Sequence, residues 1–474
     1  MTSITMHGGV GEIGGNKMLL KDRDSRVFLD FGLSYSRKGQ FFEEFLTPRT
    51  ANGMGDLVKT GLLPDPRHPD FAGVYRSDYL RMAGYSAPNH PSIEGVLLSH
   101  IHMDHSSYIS FLHEDVPVYA SQASVAMAEA LDLCTQTNFE NEVWDFKLRP
   151  SKRNDQYIRR KWVELKPFQR TNVGDIEVTG LPVDHSVPGA MSYLIHTSEG
   201  TVLYTGDLRV EGYGSNTASS LPALRAEHVD LMLCEGTRIN ESDMKTEEHI
   251  RSFATTLSRK FKGMVVAGFA FKDVQRLQTF LEVARTTERT MVITPKDAVV
   301  LEHLRRKGMP DLPDPEKDPS IEVLVEPKRT GTFDDADYAE WERKYLGWGN
   351  RVLSRDLSKG GSRRIVHAGF FDMTTFIDFE MPPQSVYIHS LSEAHNEEQA
   401  IDDQRLNKWL EVFGLRRFNL HASGHACCGE LMKLVEAADP ERIVPMHTEH
   451  PEMFAVLHHT IESVGLQGTV QVKV

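Results

Sequence analysis

The apolar positions of this chain fall into short runs, and the period that separates them changes along its length. Thr5-Met6-His7, Lys17-Met18-Leu19-Leu20 and Arg26-Val27-Phe28-Leu29-Asp30 are brief runs bounded by glycine and polar residues, the pattern of strands. Gly8-Gly9-Val10-Gly11-Glu12-Ile13-Gly14-Gly15-Asn16 lies between the first two. It superficially matches a dinucleotide-binding loop, but neither a helical period nor a suitably spaced acidic residue follows, which excludes that reading. Residues 31–94, rich in Gly, Pro and aromatic residues, predict loops and short helices over one face. Val116 to Ala120 predicts a strand, and Ser121 to Leu133 a helix with Ser121 at its N-cap. Asp175 to Leu181, Met191 to Ile195, Thr201 to Gly206 and Leu231 to Glu235 predict successive strands, antiparallel-type neighbours that pack as sheets flanked by helices.

After about Asn240 strands and helices alternate. Met264 to Ala270, Thr290 to Ile293, Ile321 to Val325, Arg364 to Ala368 and Ser385 to His389 read as strands, with helices over Lys272 to Ala284, Lys296 to Arg306 and Glu397 to Phe413. That alternation predicts a parallel sheet and hence a separate domain. No internal repeat or low-complexity tract interrupts it.

Composition changes this picture little. Of 474 residues, 40% are hydrophobic and 25% charged, as in an ordinary globular protein. No apolar stretch approaches the roughly 18 residues that span a bilayer, and Met1 to His7 lacks the basic and apolar regions of a leader, so a cytoplasmic protein without membrane contact is expected. Cys134, Cys234, Cys427 and Cys428 are too few and scattered for a disulfide framework. Cys427 and Cys428 read as small buried hydrophobes rather than metal or redox groups. The net charge of −14 matters more, because a protein that simply coats nucleic acid is basic. A polyanionic partner would have to be gripped locally, by bound cations or short basic patches. Arg149 to Arg170 (with Lys152, Arg153, Arg159, Arg160 and Lys161) and Ser354 to Arg364 (with Arg355, Lys359 and Arg363) are candidates; solvated loops are the plainer reading.

The chemistry concentrates in His100-Ile101-His102-Met103-Asp104-His105, directly after the apolar run Val96-Leu97-Leu98. His100 and His102 project the same way from an extended loop, while Asp104 and His105 follow at a helix start. Nitrogen and oxygen ligands without thiolate suit Zn²⁺, with Mn²⁺ as the substitute. A chance surface cluster is the competing reading, disfavoured by the strand that precedes it. His185 and Asp207 each sit at a strand end; alone such residues are usually structural, but a centre for two cations needs a carboxylate able to bridge.

With these residues in place the sequence resembles the metallo-β-lactamase superfamily: Asp30, the His100 to His105 cluster, His185 and Asp207 match its successive motifs. Leu420-His421-Ala422-Ser423-Gly424-His425-Ala426 and Ile443 to His450 are similar to later motifs of the β-CASP nucleases, and Glu235 sits where that group carries an acidic motif. The opening glycine run is similar to that of ribonuclease J. The resemblance covers essentially the whole chain. It implies an α/β protein, an αββα sandwich from residues 1–240 and 416–474, with an inserted parallel α/β domain over 241–415. It further implies two Zn²⁺ (or Mn²⁺), one held by His100, His102 and His185 and the other by Asp104, His105 and His447, with Asp207 bridging. Asp30 and Glu235 would support these ligands from behind. Asp104, Asp207 and His425 would carry catalysis, and Ser423, Gly424, His425 and Ala426 would meet a phosphate of the RNA. The implied reaction is hydrolysis of RNA by a hydroxide shared between the cations, leaving 5′-phosphate and 3′-hydroxyl ends, as a 5′-exonuclease, an endonuclease or both, in RNA processing or decay.

Glu12 and Glu449 are alternative general bases, with supporting or surface carboxylates as the plainer reading. The chain ends about 27 residues after His447, so the C-terminal domain that follows in ribonuclease J, and any oligomer contact made by it, is not expected; self-association by another route stays open. Phe269-Ala270-Phe271-Lys272-Asp273 also departs from the Phe-Ala-Ser-Asn type of segment in ribonuclease J. Three other readings stand beside the ribonuclease: a DNA nuclease of the same group, a small-substrate hydrolase of thioesterase or lactamase type, and a non-catalytic RNA-binding subunit. DNA-directed relatives tend to carry an apolar residue at the position of His447, the small-substrate enzymes lack the inserted domain, and non-catalytic ones lack ligands.

Overall fold

The short apolar runs flanking the inserted segment assemble into two seven-stranded sheets. The computed structural model describes residues 1–87, 90–152, 155–210, 215–242, 244–392 and 397–473. The first sheet runs, in spatial order, Thr469–Gln471, Ser3–Gly8, Lys17–Asp22, Ser25–Leu29, Gly95–Leu97, Val118–Ser121 and Trp162–Leu165. The second runs Thr460–Ile461, Arg442–Met446, Leu231–Glu235, Thr201–Tyr204, Met191–His196, Ile176–Pro182 and Arg170–Val173. Alternate side chains of the two sheets face each other: Ile4, Met6, Met18, Leu20, Val27 and Leu29 meet Val178, Tyr193, Ile195, Val202, Leu231, Leu233 and Val444 in one core. The opposite residues of the second sheet, Leu194, Leu203, Met232 and Ile443 among them, pack on helices Asn216–Arg225 and Cys428–Ala438. Helix Gln122–Cys134, capped by the Ser121 hydroxyl accepting from Ser124 N–H, follows a strand of the first sheet. This is the expected αββα sandwich.

The chain leaves the second sheet after Leu231–Glu235 and returns in Arg442–Met446, which pairs parallel to it with Leu231 opposite Arg442 and Glu235 opposite Met446. That register sets Glu235 and His447 at the same strand ends, although more than two hundred residues of sequence separate them.

The intervening unit spans Met244–Ser423. Its seven strands are all parallel, in the order Arg351–Leu353, Ile321–Val325, Thr290–Ile293, Arg364–His367, Val265–Gly268, Val386–His389 and Arg416–Asn419. Strands covered on both faces read as continuous apolar runs, which is why this sheet was legible as α/β. Helix Val274–Thr286 opens at the Asp273 carboxylate and helix Pro295–Arg306 at a capping box of Thr294 and Asp297. The polar strand Arg416–Asn419 sits at the sheet edge without hydrophobic alternation and is invisible to periodicity. It belongs to the inserted unit, which runs to Ser423.

Several residues of the basic segments pair within the protein. Arg160 is buried and donates to the carbonyls of Leu112 and His113, while Arg149 pairs with Glu142, Arg159 with Asp145, and Arg170 with Glu177. Arg364 donates to Glu322, and Lys359 pairs with Asp356 at 2.7 Å. Arg153 lies outside the described residues. Cys134, Cys234 and Cys427 are buried free thiols and Cys428 is half-buried. Among the described residues no helix is long and apolar enough to cross a membrane.

Inside the inserted unit, Arg276 is fully buried. Its guanidinium pairs with Glu247 at 2.9 Å and donates to the carbonyls of Ser390 and Ala422, each at 2.9 Å. Removing one member of such a pair strands the other charge in an apolar interior, so Arg276→Met should cost about 3 kcal/mol or more. A urea midpoint unchanged from that of the parent would contradict this account.

Candidate metal centre

The segment carrying the histidines is fixed by its backbone before any side chain is considered. After strand Gly95–Leu97 the chain turns into the short helix Met103–Ser106. Phe31 N–H donates to His105 O (2.8 Å), Leu33 N–H to Met103 O (3.0 Å) and Asn16 N–H to Asp104 O (3.1 Å). Gly32 passes so close that a Cβ there would lie 1.7 Å from Asp104 O, so only glycine fits. The opening glycine run therefore serves as a cradle for the ligand turn. Glu12 belongs to that cradle: it accepts from Gly9 N–H and from the Ser34 hydroxyl. Glu449 is exposed.

Two groups of ligand atoms result. His100 Nε2 lies 3.0 Å from His102 Nδ1, which lies 3.1 Å from His185 Nε2. In the second group His447 Nε2 is 3.2 Å from Asp104 Oδ2, and His105 Nε2 is 3.1 Å from Asp207 Oδ2. Asp207 Oδ2 is also 3.7 Å from His100 Nε2, 4.0 Å from His185 Nε2 and 3.6 Å from His447 Nε2, so one carboxylate oxygen touches both groups. Asp207 follows Gly206, whose φ of +54° and crowding against Ser99 make glycine the residue that lets the strand end approach this far.

Each ring is oriented from behind. Asp30 accepts from Ser99 N–H (2.7 Å), the Ser99 hydroxyl (2.7 Å) and the Tyr204 hydroxyl, and lies 2.6 Å from His105 Nδ1. It holds these partners from a left-handed backbone position, φ +55°. His185 Nδ1 lies 2.7 Å from Gly424 O, and His447 Nδ1 2.7 Å from the Thr237 hydroxyl. With Nδ1 engaged, Nε2 of all three rings faces the centre, the arrangement typical of metal-binding histidines. Glu235, fully buried, accepts from Leu208 N–H (3.0 Å) and Thr237 N–H (3.2 Å), and lies 3.2 Å from His425 Nδ1.

The electrostatics suit cation binding. Burial, reinforced by the imidazoles of His105, His185 and His102, holds His100 far below the ordinary histidine range; burial and His425 bring His185 down to about 4. Both rings are thus neutral at pH 7 and keep the lone pair a cation needs. Burial works against ionised Asp104 and Asp207, but the imidazoles of His105 and His447 outweigh it and hold both carboxyls below the usual range. His105 is raised against burial by Asp207, Asp104 and Asp30, and His425 rises to about 9 against burial through Glu235 and Asp207. Asp207 Oδ1 and His105 Nε2 are buried without a hydrogen bond. Such orphaned polar atoms are costly unless something else meets them, and a donor set of imidazole and carboxylate is that of Zn²⁺ or Mn²⁺. The residues fit a bound metal.

Asp207, Glu235, His425 and His447 form a further overlapping group. Because both Glu235 oxygens accept backbone N–H bonds, Glu235 supports the centre rather than closing an alternative ligand set. The structure thus gathers His100, His102, Asp104, His105, His185, Asp207, Glu235, His425 and His447, with Asp30 behind them. One expectation for phosphate contact changes. Ala426 N–H is committed to Leu208 O at 2.6 Å, so it does not offer the donor the sequence suggested, while the Gly424 carbonyl orients His185. Ser423 belongs to the inserted unit and is half-buried. Sequence reasoning missed Ser99, Tyr204 and Thr237; their only signal was adjacency to His100, Asp207 and Glu235.

Residues 69–260 match the beta-lactamase superfamily domain, and residues 414–460 match the Zn-dependent metallo-hydrolase RNA specificity domain. The chain is 24% identical over 460 residues to ribonuclease J of Mycolicibacterium smegmatis, covering 94% of this chain and 68% of that protein. It is 22% identical over 495 residues to ribonuclease J of Pyrococcus abyssi, covering 99% and 93%. A crystal structure of a protein of unknown function from Enterococcus faecalis V583 superposes with a TM-score of 0.70 at 20% identity, covering 99% of each chain.

Two substitutions test the centre. Asp207→Ala removes the carboxylate common to both groups and should abolish tight metal uptake, read by elemental analysis after desalting. Asp30→Asn keeps the shape but weakens the grip on His105, and should lower metal affinity roughly 10- to 100-fold in a chelator competition. Parent-like metal content in Asp207→Ala would remove that residue from the centre.

Proposed function

We infer that this chain, which is ribonuclease J-like and carries the metallo-β-lactamase fold, is a metal-dependent ribonuclease that acts in RNA processing or decay. The observation that carries this reading is the single Asp207 oxygen in reach of both ligand groups, the geometry of a centre for two cations. RNA, in preference to a small ester or lactam, is supported by the RNA specificity match over the segment that supplies His425 and His447. The parallel α/β insertion supports it too.

His100, His102 and His185 would hold one Zn²⁺, and Asp104, His105 and His447 the other, with Asp207 shared; Mn²⁺ suits the same donors. When bound, such cations lower the pKa of water toward about 7 and offset the charge of a phosphodiester. The remaining work falls to the protein. Asp30 keeps the His105 ring fixed through the reaction, so no reorientation is needed as charge develops. Glu235 holds His425 at Nδ1, and its carboxylate beside the ring favours the protonated imidazole. A charged imidazole at this place can stabilise a phosphate oxygen and pass its proton to the departing 3′-oxygen, leaving a 3′-hydroxyl and a 5′-phosphate.

RNA labelled at either end, bearing a 5′-monophosphate or a 5′-triphosphate, tests the reading: mononucleotides from the 5′ side indicate exonuclease action, and discrete internal fragments endonuclease action. No cleavage by metal-loaded protein would overturn it. His425→Ala should slow turnover roughly 10²- to 10⁴-fold while metal content stays at the parent's level.

A further inference from the structure

Away from the centre, His228, Asp230 and Glu441 bring three ligand atoms within 4.8 Å of one another. His228 Nε2 lies 3.3 Å from Glu441 Oε1 and 3.6 Å from Asp230 Oδ1. The separations are those of donors around one small cation. Asp230 and Glu441 immediately precede the neighbouring parallel strands Leu231–Glu235 and Arg442–Met446, and Glu441 N–H donates to Val229 O at 2.9 Å. Glu235 and His447 occupy the other ends of these strands, roughly 15 Å away at the usual strand rise. The cluster is therefore separate from the centre described above.

A surface group of one histidine and two acids would mean little by itself. What distinguishes this one is Asp230, whose side chain is only 4% exposed. Its Oδ2 accepts from Thr201 N–H at 2.7 Å and is backed by Gly200, but its buried Oδ1 makes no hydrogen bond and points to His228. The exposed Lys473 ammonium pairs with that oxygen only at 3.8 Å, beyond hydrogen-bond reach. A buried carboxylate oxygen left this way is costly unless a positive group meets it closely.

We propose that His228, Asp230 and Glu441 form an auxiliary site for a divalent transition cation, Zn²⁺ or Mn²⁺, which pins the returning strand Arg442–Met446 to Leu231–Glu235 at their starts. His228 Nε2, Asp230 Oδ1 and Glu441 Oε1 supply the ligands, and solvent completes the shell on the exposed side. The site owes nothing to the ribonuclease reading and stands or falls without it.

The test compares the full chain with the double variant His228→Ala/Glu441→Gln, both side chains being largely exposed. Calorimetric titration with Zn²⁺ should find one equivalent fewer in the variant than in the parent, whatever number the main centre binds. Crystals of the parent soaked in Zn²⁺ should show an anomalous peak at coordination distance from His228 Nε2, absent from the variant. Equal stoichiometry in the two proteins, or no peak beside His228 in the parent, overturns the proposal.

Discussion

The Asp30 carboxylate is the tie on which the centre depends. It stands at the end of a strand of one sheet, receives the hydroxyl of Tyr204 from the end of a strand of the other, and grips Ser99 and His105 between them. The two layers of the sandwich and the ligand turn are thereby referred to one buried anion. A fully buried carboxylate survives only when its oxygens are surrounded by donors, and here the donors are the parts that must be aligned. Orientation of His105 and cohesion of the fold are consequently the same interaction.

This explains why so much of the molecule was readable from the chain. Burial on both faces writes itself as continuous apolar runs, so the strands around Val266, Val292 and Val366 were plain, and the tight spacing of His100, His102, Asp104 and His105 is local. What escaped had a non-local or edge-strand cause. Arg416–Asn419, Trp162–Leu165 and Arg170–Val173 are edge strands with exposed polar residues, and periodicity has no purchase on them. Ser99, Tyr204 and Thr237 act through hydrogen bonds across the fold, which residue type alone does not announce. Ala426 was assigned to phosphate because small residues expose backbone; its N–H instead donates to Leu208 O.

The acidic balance of the chain also makes sense at this level. Arg149, Arg159, Arg160 and Arg170 serve carboxylates and carbonyls of their own protein. Attraction for a polyanion would then be concentrated at the metal centre rather than spread over the surface.

One consequence follows from the parallel pairing of Leu231–Glu235 with Arg442–Met446. His447 reaches the centre only after the entire inserted unit has been synthesised, so a nascent chain carries the first imidazole cluster long before the second is complete. The inserted unit between the paired strands makes this a closure of high contact order. The second group of ligand atoms is thus the part of the centre that the chain finishes last.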